Sequence, residues 1–145
     1  MEFDFSGIIP AIPGLWNGMV MTLQLMVMGV VGGIVLGTIL ALMRLSSSKL
    51  LSRVAGAYVN YFRSIPLLLV ITWFYFAVPF ILRWITGEDT PIGAFSSCLV
   101  AFVMFEAAYF CEIMRAGIQS IPRGQVYSAY ALGLTYGQSM RLVIL

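Results

Sequence analysis

The sequence predicts an all-α membrane protein, a helical bundle with three transmembrane helices. Apolar residues make up 61% of the chain and charged residues only 10%, and the mean hydropathy is +0.97. A soluble domain carries about 25% charged residues, so this composition indicates a membrane protein. Predominantly apolar stretches of about 20 residues or more recur along the chain, which is the length that a helix needs to cross the hydrocarbon core.

The first predicted span is residues 19–43. No charged residue lies between Asp4 and Arg44, so the stretch is apolar throughout. Its glycines are Gly29, Gly32, Gly33 and Gly37. Gly33 and Gly37 form a G-x-x-x-G pair, which lets a second helix approach closely. We therefore expect this side of the helix to pack against another.

The second predicted span is residues 54–82, and it contains Arg63 and Pro66. Proline inside a helix removes a backbone hydrogen bond, so the helix kinks or restarts at this point. Such a break is tolerated in a membrane where protein or a water-filled cavity covers it, and broken helices recur at transporter sites. The third predicted span is residues 92–113. We expect residues 1–145 to form one transmembrane domain.

The charges outside the spans predict the orientation of the chain. Loop 44–53 and segment 114–145 each carry three cations and no acid. The N-terminus carries Glu2 and Asp4, and loop 83–91 has a net charge of −1. Cytoplasmic loops are enriched in Lys and Arg. The pattern therefore predicts an outside N-terminus and a cytoplasmic C-terminal segment.

Two ionisable residues lie at similar predicted depths within the spans. Arg63 follows the start of the second span by about nine residues, and Glu106 precedes Arg115 by the same number, which is roughly 13 Å of helix. Charges in a membrane usually face the bundle interior and pair. An internal Arg63–Glu106 ion pair, a polar route lined by Arg63, Pro66 and Glu106, and an Arg63 side chain that reaches the interface are the open alternatives.

Glu112 and Arg115 lie three residues apart at the end of the third span. Side chains at this spacing are neighbours on one face of a helix. We therefore expect a local ion pair at the membrane edge. A more functional role for these two charges is the less favoured interpretation.

Several functional classes are excluded by what the chain lacks. It has no His, and its two cysteines, Cys98 and Cys111, lie in one apolar stretch and read as small buried residues. It has no Gly-Lys-Ser/Thr phosphate-binding loop. A net charge of +2 is too small to indicate nucleic-acid binding. We expect no catalytic residue, no metal site and no cofactor in this chain, which argues against a membrane-embedded enzyme.

The segment after the third span is punctuated by Gly117, Pro122 and Gly124 and then continues as a short apolar stretch, 126–133. Pro122 suits the start of a new helix. A short apolar helix exposed to the cytoplasm requires a partner. The alternative is an amphipathic segment that re-enters the membrane as a fourth span.

These residues carry a resemblance to a known family. The run Gly124-Gln-Val-Tyr-Ser-Ala-Tyr-Ala-Leu-Gly133, followed by Val143-Ile-Leu145, resembles the E-A-A…G…I-x-L-P loop of permease subunits in ATP-driven (ABC) importers. Tyr127 and Ser128 stand where the motif has Glu and Ala. Upstream, Phe62-Arg-Ser-Ile-Pro66 and Glu112-Ile-Met-Arg-Ala-Gly-Ile-Gln-Ser-Ile-Pro-Arg-Gly-Gln125 are similar to the polar amino-acid branch of that family, most of all to glutamate/aspartate permeases.

The resemblance implies a multi-pass subunit of the bacterial inner membrane that imports glutamate or aspartate. Its expected partners are a cytoplasmic ATPase that holds ATP and Mg²⁺, a second permease subunit in a homo- or heterodimer, a periplasmic amino-acid-binding protein and the lipid bilayer. Segment 122–139 would be the coupling helix region. The residues that the motif assigns to ATPase docking are Pro122, Gly124, Gln125, Tyr127, Ser128, Ala129, Gly133 and Gly137.

The resemblance also implies that the chain is the front part of a five-helix permease, truncated at its C-terminus. The alternative function is that of a non-transporting membrane scaffold or interaction subunit.

Overall fold

A computed structural model describes residues 8–87 and 93–144, and all of the regular structure in these ranges is helical. The helices are α1 (Ile8–Leu45), α2 (Lys49–Ser64), α3 (Leu67–Thr86), α4 (Ala94–Ser120), α5 (Arg123–Ala131), α6 (Tyr136–Ser139) and a π-helical turn, Met140–Ile144. Among the described residues, α1, α3 and α4 are long and apolar enough to cross a membrane. The predicted fold class is confirmed. The predicted outer charges Glu2, Asp4, Glu88 and Asp89, and the motif residue Leu145, lie outside the described residues.

The second predicted span, 54–82, differs most from the structure. The helix ends at Ser64 and restarts at Leu67, with Ile65 and Pro66 in extended conformations between them. The break that Pro66 predicts is present. Because α2 carries Lys49, Arg53 and Arg63, it is much more polar than α3, and only α3 has the composition of a membrane span.

The other two spans are longer than predicted. The first prediction, 19–43, lies inside α1, and the third, 92–113, underestimates α4, which continues to Ser120. Gly117 was expected to loosen the chain after the span, but it lies within α4. One glycine costs a helix only about 1 kcal/mol, too little to end α4 before Pro122, which cannot continue it.

The main packing contact joins α1 to α4 in parallel. Gly29 faces Phe102, and Gly37, eight residues later, faces Phe110. Parallel packing agrees with the predicted topology, in which both helices cross the membrane in the same direction.

Glycine lets these two helices approach each other at the backbone. A Cβ atom on Gly37 would lie 2.9 Å from the carbonyl oxygen of Ala107 and 2.7 Å from the Cβ of Phe110. On Gly33 it would lie 2.8 Å from the Cβ of Glu106. The expected G-x-x-x-G packing is therefore present. We refer to Gly29, Gly32, Gly33 and Gly37 as the glycine seam.

Helix α2 packs across α1 and α4 through one face, formed by Ala55, Val59 and Phe62, all of which are buried. The Tyr58 hydroxyl, on the same side, donates a hydrogen bond of 2.8 Å to the carbonyl oxygen of Met104. This packing brings the C-terminal end of α2 against α4 and so positions Arg63.

Candidate functional site

Four charged side chains meet where α1, α2 and α4 come together, and we call them the Glu112 cluster: Arg44, Arg63, Glu112 and Arg115. Arg44 Nη1 donates directly to Glu112 Oε1. Arg115 donates to Glu112 Oε2 through Nη2 at 2.7 Å and through Nε at 3.3 Å. Arg63 Nη1 lies 3.9 Å from the same Oε2 atom. One carboxylate therefore joins three guanidinium groups from three helices.

The expected pair between Glu112 and Arg115 is present, but it is only part of the cluster. Sequence reasoning used Arg44 as a loop cation for orientation and missed its contact with Glu112. Arg44 lies in the last turn of α1, where a cation interacts favourably with the helix dipole. The positions of Arg44 and Glu112 along the sequence both predicted the membrane edge. Nothing in the sequence showed that the two side chains face each other.

The proposed Arg63–Glu106 pair is not the arrangement that the structure contains. Arg63 lies beside Glu112, and its guanidinium carbon is 5.5 Å from the centre of the Tyr109 ring. Glu106 instead faces α1 at Gly33. Six residues separate Glu106 from Glu112, which is about 1.7 turns of helix, so the two carboxylates lie on different faces of α4. Similar depth was not enough to bring Arg63 and Glu106 together.

Glu106 borders a small hollow between α1 and α4 of about 250 Å³. Thr22, Leu25, Met26, Val30 and Phe102 form the rest of its lining. Among the residues that the structure describes, no ion-pair partner of Glu106 is found. Glu106 therefore places a carboxyl group in a largely apolar environment, halfway along a membrane helix.

The break at Pro66 lies next to Arg63. Ile65 is extended (φ −113°, ψ 146°), and Pro66 caps the start of α3. An apolar groove of about 390 Å³ opens beside this break, lined among others by Phe62, Ile65 and Met104. The three predicted path residues are thus divided: Arg63 and Pro66 lie near the groove at the α2–α3 junction, whereas Glu106 faces α1.

The predicted docking segment 122–139 forms α5, a turn and α6. Pro122 precedes the first residue of α5, and its carbonyl oxygen accepts a 3.0 Å hydrogen bond from the Gln125 amide. The Ser128 hydroxyl donates to the carbonyl oxygen of Gly124 at 2.9 Å. Ala129, on the inner face of α5, is buried. The exposed surface of the segment combines polar residues such as Arg123 and Gln125 with aromatic and aliphatic side chains.

That exposed surface is formed mainly by large side chains. Tyr127 is 64% exposed, Leu132 is 81% exposed and Tyr136 is 69% exposed. An open groove of about 540 Å³ lies beside them, with Pro122, Gly124, Gln125, Ser128, Ala129, Leu132, Leu134 and Val143 as its lining. A protein surface of this kind is typical of an interaction site.

The backbone conformation explains why residue 133 is a glycine, and sequence reasoning missed this explanation. Its φ is +80°, and its amide donates to the carbonyl oxygen of Tyr130 at 2.9 Å, while the Leu134 amide donates to that of Ala129 at 3.1 Å. These are the two hydrogen bonds of a Schellman motif, in which glycine ends a helix. A glycine directly after a short helical stretch is the signal that predicts it. From the sequence, Gly133 was assigned instead to the docking residues of the family motif.

The helix after Gly133 also has a local start signal. Thr135 and Gln138 form a capping box: the Thr135 hydroxyl accepts from the Gln138 amide at 3.4 Å, and Gln138 Oε1 accepts from the Thr135 amide at 2.9 Å. This T-x-x-Q spacing is readable from the sequence. Gly137 lies inside this short helix, and a Cβ on it would meet nothing within 4 Å.

A protein family and several known proteins are similar to this chain. The model of the family "Binding-protein-dependent transport system inner membrane component" matches residues 33–145. The chain is 54% identical to the glutamate/aspartate import permease protein GltK of Escherichia coli O6:H1 over 145 residues, which is 99% of this chain and 65% of GltK. It is 37% identical to the arginine transport system permease protein ArtQ of Bacillus subtilis, covering 100% of this chain and 64% of ArtQ.

A solved structure has the same fold. The crystal structure of an amino acid ABC transporter with histidines contains a chain that matches all of this one with a TM-score of 0.85 and 34% identity, and the match covers 64% of that chain. The present chain thus spans just under two thirds of the relatives that it matches.

Proposed function

This chain belongs to the family of binding-protein-dependent transport system inner membrane components, and from this premise we propose that it is a permease subunit of an ATP-driven amino-acid importer. The observation that carries the proposal is the combination of three membrane-spanning helices with segment 122–139, which follows α4 and exposes Tyr127, Leu132 and Tyr136. A helix that crosses the membrane and continues into a docking surface connects a membrane path to a cytoplasmic partner.

The proposed partner of segment 122–139 is an ATPase subunit, which would hold ATP and Mg²⁺. Tyr127, Leu132 and Tyr136 supply the large, exposed contacts that a protein interface buries at its centre. Two residues depart from the family motif. Tyr127 puts an aromatic side chain in place of the charged Glu, and Ser128 puts a hydroxyl side chain in place of Ala. Docking would therefore depend more on apolar contact than on charge.

Glutamate and aspartate are the proposed substrates. The greater identity to GltK than to ArtQ supports an acidic rather than a basic amino acid. A second permease subunit and an external amino-acid-binding protein would complete the importer, in a bacterial inner membrane. Within this chain, Arg63, Pro66 and Glu106 are the proposed path residues, the first two at the α2–α3 junction and the third on the face of α4 that packs against α1.

Docking is tested by co-purification of the chain with its ATPase from membranes. Leu132→Asn should lower the recovered ATPase, because it places an amide where an apolar contact is expected. Leu50→Asn is the matched control, since Leu50 is 72% exposed but lies in α2. Equal recovery with both variants would contradict docking through segment 122–139.

Transport is tested in proteoliposomes that contain the assembled importer. Uptake of labelled glutamate and aspartate should require ATP and exceed uptake of arginine. Retained ATPase binding without any uptake would favour the scaffold function instead. Arginine uptake at the same rate would contradict the proposed substrate class.

A further inference from the structure

The Glu112 cluster lies between the membrane helices and the segment proposed to dock an ATPase. Glu112 and Arg115 are in α4, which continues without a break to Ser120 before α5 begins at Arg123. Eight residues of helix, or about 12 Å, separate Glu112 from Ser120. On its N-terminal side, α5 is connected to the membrane helices through this end of α4.

Side-chain hydrogen bonds run from the cluster along the last turns of α4. Arg115 also donates from Nη1 to Gln119 Oε1 at 2.6 Å, and the Ser120 hydroxyl donates to the carbonyl oxygen of Gly117 at 2.7 Å. Gln119 and Arg115 thus connect the last turn of α4 to Glu112. Only Ile121 and Pro122 lie between the end of α4 and the start of α5, so a movement of α5 reaches the cluster through a two-residue connection.

The three guanidinium groups do not hold Glu112 equally. Arg44 and Arg115 both form hydrogen bonds with the carboxylate, and their side chains are less exposed than that of Arg63. Arg63 is 3.9 Å away and its side chain is 43% exposed. Solvent-exposed ion pairs contribute little and exchange readily with water. Of the three contacts in the cluster, the Arg63–Glu112 contact is therefore the one that separates most easily.

The packing around the cluster has the same division. The glycine seam holds α1 to α4 at backbone distance, so these two helices and the Arg44–Glu112 contact move together. Arg63 lies at the end of α2, beside the Pro66 break that starts α3. If the Arg63–Glu112 contact opens, α2 is still held to α4 by its buried apolar face and by the Tyr58–Met104 hydrogen bond, so the change is confined to the C-terminal end of α2 and the adjoining break.

We propose that Glu112 is a positioning residue that passes movement of the docking segment to the membrane helices, with Arg63 as the contact that opens and closes. The proposal rests on the proposed transport function and names the residues that connect its two ends. Glu112 holds α1 permanently through Arg44 and holds α2 reversibly through Arg63. Without the carboxylate, three like charges from three helices would face one another with nothing to join them.

The test uses the assembled importer in proteoliposomes and measures both ATP hydrolysis and amino-acid uptake. Glu112→Gln should raise the number of ATP molecules hydrolysed per amino acid imported by about fivefold, the lower end of typical coupling between sites. Glu112→Asp keeps the charge and should restore part of the ratio. Arg53→Gln is the matched control, because Arg53 is an exposed cation of α2 outside the cluster.

Arg63→Gln provides a second variant in case Glu112→Gln fails to assemble, since it leaves Glu112 bonded to Arg44 and Arg115. It should change the ratio in the same direction by a smaller factor. An unchanged ratio, including one in which uptake and hydrolysis fall together, would overturn the positioning role of Glu112. Absence of uptake by the unaltered importer would instead overturn the proposed function, so the two failures are distinct.

Discussion

The glycine seam and the docking segment use the same residue type for opposite physical reasons. In the seam, Gly37 is required because the backbone of α4 occupies the space where a side chain would be. In the docking segment, Gly133 has nothing within 4 Å of its Cβ position, but its φ of +80° excludes most side chains. The seam therefore depends on tertiary packing, and the turn after α5 depends on local backbone geometry. Substitutions should separate these two dependences.

The largest expected effect comes from Gly37→Ala. The new methyl group would press on the carbonyl oxygen of Ala107 and the amide nitrogen of Cys111, and a backbone cannot move aside as a side chain can. We expect a loss of about 2 kcal/mol of stability, as for other overpacked cores. The measurement is the midpoint of unfolding in detergent, followed by circular dichroism.

Gly18→Ala is the control for the seam. Gly18 lies in the same helix, and a Cβ on it would meet nothing within 4 Å. The midpoint should stay the same or rise, because alanine favours helix over glycine by about 1 kcal/mol. A similar loss of stability in both variants would mean that the seam is not where α1 and α4 are held together.

Gly133→Ala should have a smaller and more local effect. A side chain in the left-handed region costs roughly 1 kcal/mol, and the two hydrogen bonds that end α5 would weaken. Hydrogen exchange at the Leu134 amide should accelerate, while the unfolding midpoint of the helical bundle should not change.

Gly124→Ala is the matched control for the turn. Gly124 lies in the first turn of α5 without a positive φ and with open space around it. Its substitution should leave exchange at Leu134 unchanged. Equal acceleration in the two variants would show that the positive φ of Gly133 is not what the turn needs.

The Glu112 cluster should show two different strengths of contact. A double-mutant cycle that combines Glu112→Gln with Arg44→Gln should give a coupling energy of about 1 kcal/mol, since both side chains are largely buried and hydrogen-bonded. The same cycle with Arg63→Gln should give about 0.3 kcal/mol, as expected for an exposed pair. A larger value for Arg63 than for Arg44 would reverse the proposed order of the two contacts.

Thr135→Ala should have the smallest effect. It removes one half of the capping box before α6 and should cost about 0.5 kcal/mol, the lower end for such caps. Faster hydrogen exchange at the Gln138 amide would show that the cap is weakened. Ser120→Ala is a suitable comparison, since that hydroxyl bonds only within α4, and it should leave Gln138 unaffected.

Sequence patterns that extend over a few residues predicted several features of the structure. Apolar length predicted three membrane helices, proline predicted the break at Pro66, and the G-x-x-x-G spacing predicted close packing of α1. The i,i+3 spacing of Glu112 and Arg115 predicted their contact. The break and the Glu112–Arg115 contact depend on neighbouring residues alone, whereas the G-x-x-x-G spacing shows which face of α1 allows close approach but not which helix packs there.

What only the tertiary structure decided is which side chains from different helices meet. Depth in the membrane allowed Arg63 to pair with Glu106, but the rotation of α4 turns Glu106 towards Gly33 and Glu112 towards Arg44 and Arg63. Depth depends on position along a helix, which the sequence contains. Rotation about the helix axis depends on which neighbour each face packs against, and for α4 this follows from its close contact with the glycine seam of α1.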